Sequence, residues 1–274
     1  MKLREVQVGT LRCNYTYIPS LHSKTSTSQR DMSLVFVHGF PGRPQDFRWL
    51  IPHLHNFHLY FIALPGQGIT PSNSTIQNNI SSTSSFVAQF IDVLDIGEFC
   101  IVGHSMGGAV ASCIASTHPN CKGLICISSI GIRPHKGFRK FGNPKIGYDL
   151  ISKPKYKNFQ WIILPFIQLC FRWAGFPKGI DHETIKTVVE HAYHVSFEEH
   201  KNHVEIVGQQ QRPIAVIYSK NDPLIEVSIF EEFCALTSPS QIQVFEDGGH
   251  NPQKKYAQEM ATFIHQWIST SFDV

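Results

Sequence analysis

An α/β fold built from parallel strand–helix units and interrupted by one helical insertion is predicted by three observations. Short apolar runs alternate with helix-like stretches over residues 33–128 and resume at Pro213, the pattern of parallel βα units. Residues 131–211 between them do not alternate; they are helix-like, aromatic and rich in proline. At 274 residues and 42% hydrophobic, the chain can bury a large core as one domain with an insertion.

The elements follow in order. Residues 1–10 (MKLREVQVGT) alternate like a first strand and place charges where a secretory leader needs an apolar centre, so secretion is not expected. Residues 22–31 and 72–85, rich in Ser, Thr and Asn, read as surface connections, the second grading into a helix at 84–94. Residues 34–37 form a short buried strand that runs into His38-Gly39-Phe40-Pro41-Gly42. A second such strand, 99–102, leads into Gly103-His104-Ser105-Met106-Gly107-Gly108, and a helix opening with small residues follows over 106–118. Strands are also read at 123–128, 214–219 and 241–245, and an amphipathic stretch at 253–268.

The strand, GxSxG and helix together read as a nucleophile elbow. The chain reverses so tightly at Ser105 that a Cβ at 103 or 107 would strike a neighbouring element, and the strained turn holds the serine hydroxyl out at the top of the sheet. A hydroxyl near its free pKa is a poor nucleophile, so Ser105 needs a histidine base, and that histidine needs an acid to fix its tautomer. Only His250 and His265 lie beyond the strand 214–219 and the acids after it. His265 falls in the amphipathic stretch, whereas His250 sits in the glycine-rich loop Asp247-Gly248-Gly249-His250, so His250 is the expected base. Asp222 is the first carboxylate after the strand 214–219, with Glu226 and Asp247 as lesser candidates; the loop after strand 123–128 offers none. Donors for a developing oxyanion are expected from the backbone N–H of Met106, at the positive end of its helix, and of Phe40 in the HGFPG loop.

HGFPG, Leu64-Pro65-Gly66-Gln67-Gly68, GHSMGG, NDPLI and GGHNP, in this order, resemble the α/β-hydrolase family, close to its cap-bearing esterase-like members. The resemblance implies a mostly parallel eight-stranded sheet, a triad at Ser105, Asp222 and His250, and an oxyanion hole at Phe40 and Met106. Ala63 and Gln67 depart from the family's usual residues around LPGxG, which bears on subfamily rather than chemistry. Serine at 105 separates the chain from the similar epoxide hydrolases and dehalogenases, which use an aspartate there.

Residues 131–211 are assigned as a helical cap over the C-terminal edge of the sheet, with 1–130 and 212–274 as the core domain. Residues 131–160 carry eight Lys or Arg against one acid, Asp149, and so hold +7 where the whole chain is +3. The apolar run from Trp161 to Phe171 follows, too short and too broken by Pro165 and Gln168 to span a bilayer. The charge run reads first as a solvated face. A sharper reading makes it a basic lip over an apolar lining that receives an anionic lipid-like substrate or meets an anionic membrane surface. In that reading Trp161, Phe166, Phe171 and Arg133 bind substrate.

No cofactor or metal is expected. HxxH at His191 and His194 lacks completing ligands, and His182, His191, His194, His200 and His203 are assigned to polar faces of cap helices. No nucleic-acid motif is present. The seven scattered cysteines fit buried thiols in a cytoplasmic setting, and the sequons at Asn14, Asn73 and Asn79 are not expected to be used. Three functions follow: a serine hydrolase of carboxylic esters or thioesters with an apolar moiety; a carbon–carbon bond hydrolase of meta-cleavage type using the same triad, with Arg133 or Arg172 holding a substrate carboxylate; and a non-catalytic ligand-binding member of the fold. The natural substrate and the oligomeric state are not legible.

Overall fold

The computed structural model describes residues 2–21, 32–72, 76–140, 142–173 and 179–272. The expected surface connection at 22–31 and the sequon at Asn73 lie outside them.

Eight strands form one sheet: β1 (Leu3–Val8), β2 (Leu11–Ile18), β3 (Ser33–Val37), β4 (His58–Ile62), β5 (Phe99–His104), β6 (Cys121–Ile127), β7 (Ile214–Ser219) and β8 (Gln241–Phe245). The spatial order is β1-β2-β4-β3-β5-β6-β7-β8. β1 pairs with β2 and β2 with β4 in antiparallel fashion, and every later pairing is parallel. The central strands are apolar throughout because both faces are covered. In β3, Val35 and Val37 enter the main cluster on one face while Leu34 and Phe36 enter a second cluster on the other. In β5, Phe99 and Ile101 divide from Cys100 and Val102 in the same way. Fully burying each such side chain stabilises the fold by roughly 1.5–3 kcal/mol.

Nine helices are described: α1 (Ile80–Val93), α2 (Met106–Thr117), α3 (Lys136–Lys140), α4 (Pro144–Ser152), α5 (Gln160–Trp173), α6 (His182–His194), α7 (Phe197–Gln209), α8 (Val227–Thr237) and α9 (Ala257–Phe272). α1 starts four residues before the expected 84, because the side chain of Asn79 accepts a hydrogen bond from the N–H of Ser82 and caps the first turn. Asn14, the other described sequon outside a helix terminus, is buried in β2 and donates to the carbonyl of Ile69.

The insertion divides by packing. α4, α5 and α6 share their own small core of Ile151, Leu164, Ile167, Phe171, Ile180, Ile185 and Val189. α7 instead contacts α2 and α8, and its Val204 and Val207 belong to the main cluster. Two insertion histidines do not sit on polar faces as expected: His191 and His200 are buried. His191 is held between the hydroxyl of Thr83 and the carbonyl of Thr187. Among the described residues no helix is long and apolar enough to cross a membrane, and no three of His, Cys, Asp and Glu gather as a metal set.

Candidate active site

Ser105 lies between the end of β5 and the first turn of α2, with φ 54° and ψ −125°. That backbone region is uncommon for a residue with a Cβ, and the surrounding contacts hold it there. Its N–H donates to the carbonyl of Ile127, and its carbonyl accepts from Gly108 and Ile130. The flanking glycines are needed for space. A Cβ at Gly103 would lie 2.5 Å from the carbonyl oxygen of Gly107 and 2.7 Å from Cβ of Ala111. One at Gly107 would strike the carbonyls of Val37 and His38, and one at Gly108 would strike Ser129.

Three side chains from three loops meet in a row. Ser105 Oγ is 2.9 Å from His250 Nε2, and His250 Nδ1 is 2.8 Å from Asp222 Oδ2. A carboxylate only accepts, so Nδ1 carries the proton and Nε2 presents its lone pair to the serine hydroxyl. The second oxygen of Asp222 accepts from the N–H groups of Leu224 and Ile225 at 2.8 and 3.0 Å. Burial opposes ionisation of Asp222, but the bond and charge of His250 and these two N–H groups outweigh it and hold the carboxyl below its ordinary pKa. The other acids considered lie elsewhere: Glu226 pairs with Arg139, and Asp247 with Lys255 and Tyr256.

Above Ser105 is a pocket of about 70 Å³. Phe40, Met106, Ile130 and Leu224 line it from the sheet side, and His135, Phe138, Val188, His191 and Ala192 close it from the insertion. The N–H of Met106 opens α2 and lies among the first-turn donors that a helix leaves without intrahelical partners. Phe40 packs edge-on against the His191 ring at 4.3 Å.

Four residues expected to bind substrate, Arg133, Trp161, Phe166 and Phe171, are not among the residues that line this pocket. Arg133 is held by a two-pronged pair with Glu232 of α8, at 2.8 and 2.7 Å, and also reaches Ser228. Phe171 is buried in the core shared by α4, α5 and α6. Trp161 and Phe166 point outward on α5 and are exposed. Sequence alone gives their apolar character but not which stripe of α5 faces inward.

Several further buried or loop residues join the loops around Ser105 and His250. His104, beside Ser105, is buried and donates through Nε2 to the carbonyl of His250 at 2.8 Å, tying the histidine loop to the turn at Ser105. Burial and the neighbouring His250 push its pKa down to about 3, so it stays neutral. His38 similarly joins two loops: Nδ1 donates to the carbonyl of Gly39, and Nε2 accepts from the N–H of Leu64 at 3.2 Å. Burial lowers its pKa as well. Gln67 is buried, and its side-chain oxygen accepts from the N–H of Gly42 at 3.4 Å. Asn221 accepts from the N–H of Gly249 and so links the acid loop to the histidine loop. Position within HGFPG, LPGQG and GHSMGG is the available signal for His38, Gln67 and His104; Phe138 of α3 and Val188 and Ala192 of α6 carry none.

A family model described as the alpha/beta hydrolase fold matches residues 33–255. The chain is 23% identical over 259 residues to a monoacylglycerol lipase of Mus musculus, covering 87% of this chain and 76% of that protein. It is 22% identical over 242 residues to Lipase 3 of Moraxella sp., covering 83% and 74%. A solved membrane phospholipase A, described as a bacterial virulence factor, superposes with a TM-score of 0.69 at 19% identity, over 100% of this chain and 87% of that one. With the elbow, the eight-stranded sheet and the matched span together, this chain belongs to the alpha/beta hydrolase family.

Proposed function

We propose that the protein is a serine hydrolase of carboxylic esters or thioesters with an apolar moiety, working through an acyl-enzyme. The observation that carries this reading is the hydrogen-bonded row Ser105–His250–Asp222 opening on an apolar pocket. Ser105 Oγ attacks the substrate carbonyl as its proton passes to His250 Nε2, giving a tetrahedral oxyanion. The backbone N–H groups of Phe40 and Met106 receive that oxyanion, in a site where such donors act with little reorganisation. Collapse breaks the carbonyl–oxygen bond of an ester or the carbonyl–sulfur bond of a thioester, and His250 returns the proton to the leaving alcohol or thiol. Water then attacks the acyl-Ser105 ester, with His250 first taking and then returning a proton to free Ser105 and the acid. Asp222 keeps His250 in the required tautomer throughout and stabilises the imidazolium.

The lining favours an ester over a carboxylate-bearing dienoic substrate. Among the described residues no Lys or Arg lines the pocket, and Arg133 is engaged by Glu232. At about 70 Å³ the pocket is far below the ~300–1,000 Å³ of occupied ligand sites. A substrate with a long acyl chain therefore extends beyond this space, between Ser105 and the walls from α3 and α6. In this reading α3 to α6 act as the cap, and α7 belongs with the core formed by 1–130 and 212–274. The buried cysteines fit a reducing, cytoplasmic setting. The test is turnover of p-nitrophenyl esters against cleavage of a coloured ring-fission product. Ester hydrolysis with a pre-steady-state burst is expected; ring-fission cleavage without ester turnover would favour carbon–carbon hydrolysis, and uncleaved ligand that raises Tm would favour a binding protein.

A further inference from the structure

The outer face of α5 is apolar where a solvated helix would be polar. Trp161, Ile162, Phe166 and Leu169 are 73%, 50%, 62% and 41% exposed, and Pro165 is exposed among them. At about 100° per residue, these five positions fall within an arc of roughly 140°. The opposite stripe, Leu164, Ile167 and Phe171, packs against Ile185 and Val189 of α6. The helix is thus apolar on both sides with only one side covered, an arrangement that marks a contact surface.

The charge around this face identifies what it fits. Residues 150–180 hold four Lys, one Arg and no acid. Lys155 and Lys157, in the turn that leads into α5, are exposed, and neither makes an ion pair among the described residues. Arg172 is exposed near the other end of α5 and falls on the same outer arc. Lys145 and Lys153, by contrast, are both held by Asp149. Two copies meeting through this face would bring like charges together, whereas anionic lipid headgroups would neutralise them. Tryptophan and phenylalanine suit the boundary between headgroups and acyl chains.

We infer that the outer face of α5, flanked by Lys155, Lys157 and Arg172, docks the protein on an anionic phospholipid bilayer, with Trp161 and Phe166 inserted at the headgroup boundary. The inference goes beyond acyl transfer and does not depend on it. Its structural consequence is placement: α6 lies between the docked helix and the pocket, one side on α5 through Ile185 and Val189, the other lining the pocket through Val188 and Ala192.

The experiment uses the full chain carrying Ser105→Ala, so that docking and chemistry are read separately. Flotation is measured with vesicles of phosphatidylcholine alone and with about one quarter phosphatidylserine. Stronger partitioning to the anionic vesicles is expected. Trp161→Ser with Phe166→Ser should lower it at least tenfold while leaving Tm unchanged, because both side chains are exposed. Lys155→Gln with Lys157→Gln should lower partitioning to anionic vesicles by roughly twenty- to thirtyfold, from about 1 kcal/mol per basic residue, and leave neutral vesicles unaffected. Raising salt, which shortens the Debye length from ~10 Å at 0.1 M to ~3 Å at 1 M, should have the same selective effect. Absence of partitioning, or indifference to both pairs of substitutions, would overturn the inference. A dimer that Trp161→Ser and Phe166→Ser convert to monomer would assign the face to a second copy instead.

Discussion

At the scale of single residues, the proposed chemistry rests on one proton position. Nδ1 of His250 faces an acceptor-only carboxylate 2.8 Å away, which leaves Nε2 bare toward Ser105. Asp222→Asn would present a donor or a weaker acceptor at that position and lose the tautomer. It is expected to lower kcat by on the order of 10³-fold or more, as is His250→Ala. His104 acts at one remove, through the backbone of His250. His104→Phe removes a 2.8 Å hydrogen bond but no reacting group. A neutral hydrogen bond contributes about 1 kcal/mol, so kcat should fall several-fold to about tenfold with KM little changed. Steady-state kinetics checks this; an unchanged kcat would reduce His104 to packing.

At the scale of elements, α6 is both a piece of the insertion and a wall of the pocket. Ala192 lines that wall, so Ala192→Trp should narrow the space above Ser105. The expected result is a loss on the order of tenfold or more in kcat/KM for octanoyl esters and a smaller loss for acetyl esters, since about 1–3 kcal/mol accompanies even a methylene-sized misfit in an apolar site. Equal losses for both would place the acyl group elsewhere. At α1, Asn79→Ala removes the cap on Ser82 and should cost about 1 kcal/mol, a fall of roughly 2–4 °C in Tm by calorimetry. Legibility also differs by element. β5, α2, β7 and β8 could be read because their alternation or their elbow motif is local. β2 carries the same local signal, since Leu11, Cys13, Tyr15 and Tyr17 alternate with Arg12, Asn14 and Thr16; what the sequence does not give is that Asn14 and Thr16 are buried as well. The insertion was legible as helical and basic, but the inward stripe of α5 and the placement of α7 on α2 are tertiary facts. For that reason the sequence points to Ser105, Asp222 and His250, each in a loop after a readable strand and within hydrogen-bond distance of the next in the structure, but not to the pocket wall from α3 and α6.

At the scale of the whole molecule, buried histidines couple stability to pH. His104, His191 and His200 are buried, and burial pushes their pKa values down to about 3, 4 and 4. In the unfolded chain a histidine titrates near ~6.5. The stability contributed by their neutral burial is therefore fully present above about pH 6.5 and is lost as pH falls from there toward pH 4, because the unfolded state binds protons that the folded state refuses. Each such group lowers the unfolding free energy by up to about 1.4 kcal/mol per pH unit across that window. Tm should drop steeply between pH 6.5 and 4, and His200→Gln should flatten the slope; a Tm independent of pH in that range would contradict the burial of these groups.

Covalent capture tests whether the three loops assemble a working nucleophile. Native protein is incubated with a fluorophosphonate probe, and the modified residue is located by peptide mass spectrometry. A single adduct on Ser105 is expected, absent in Ser105→Ala and greatly slowed in His250→Ala, whose hydroxyl has lost its base. Folded protein that leaves Ser105 unmodified, or labelling that persists unchanged in Ser105→Ala, would contradict that assembly.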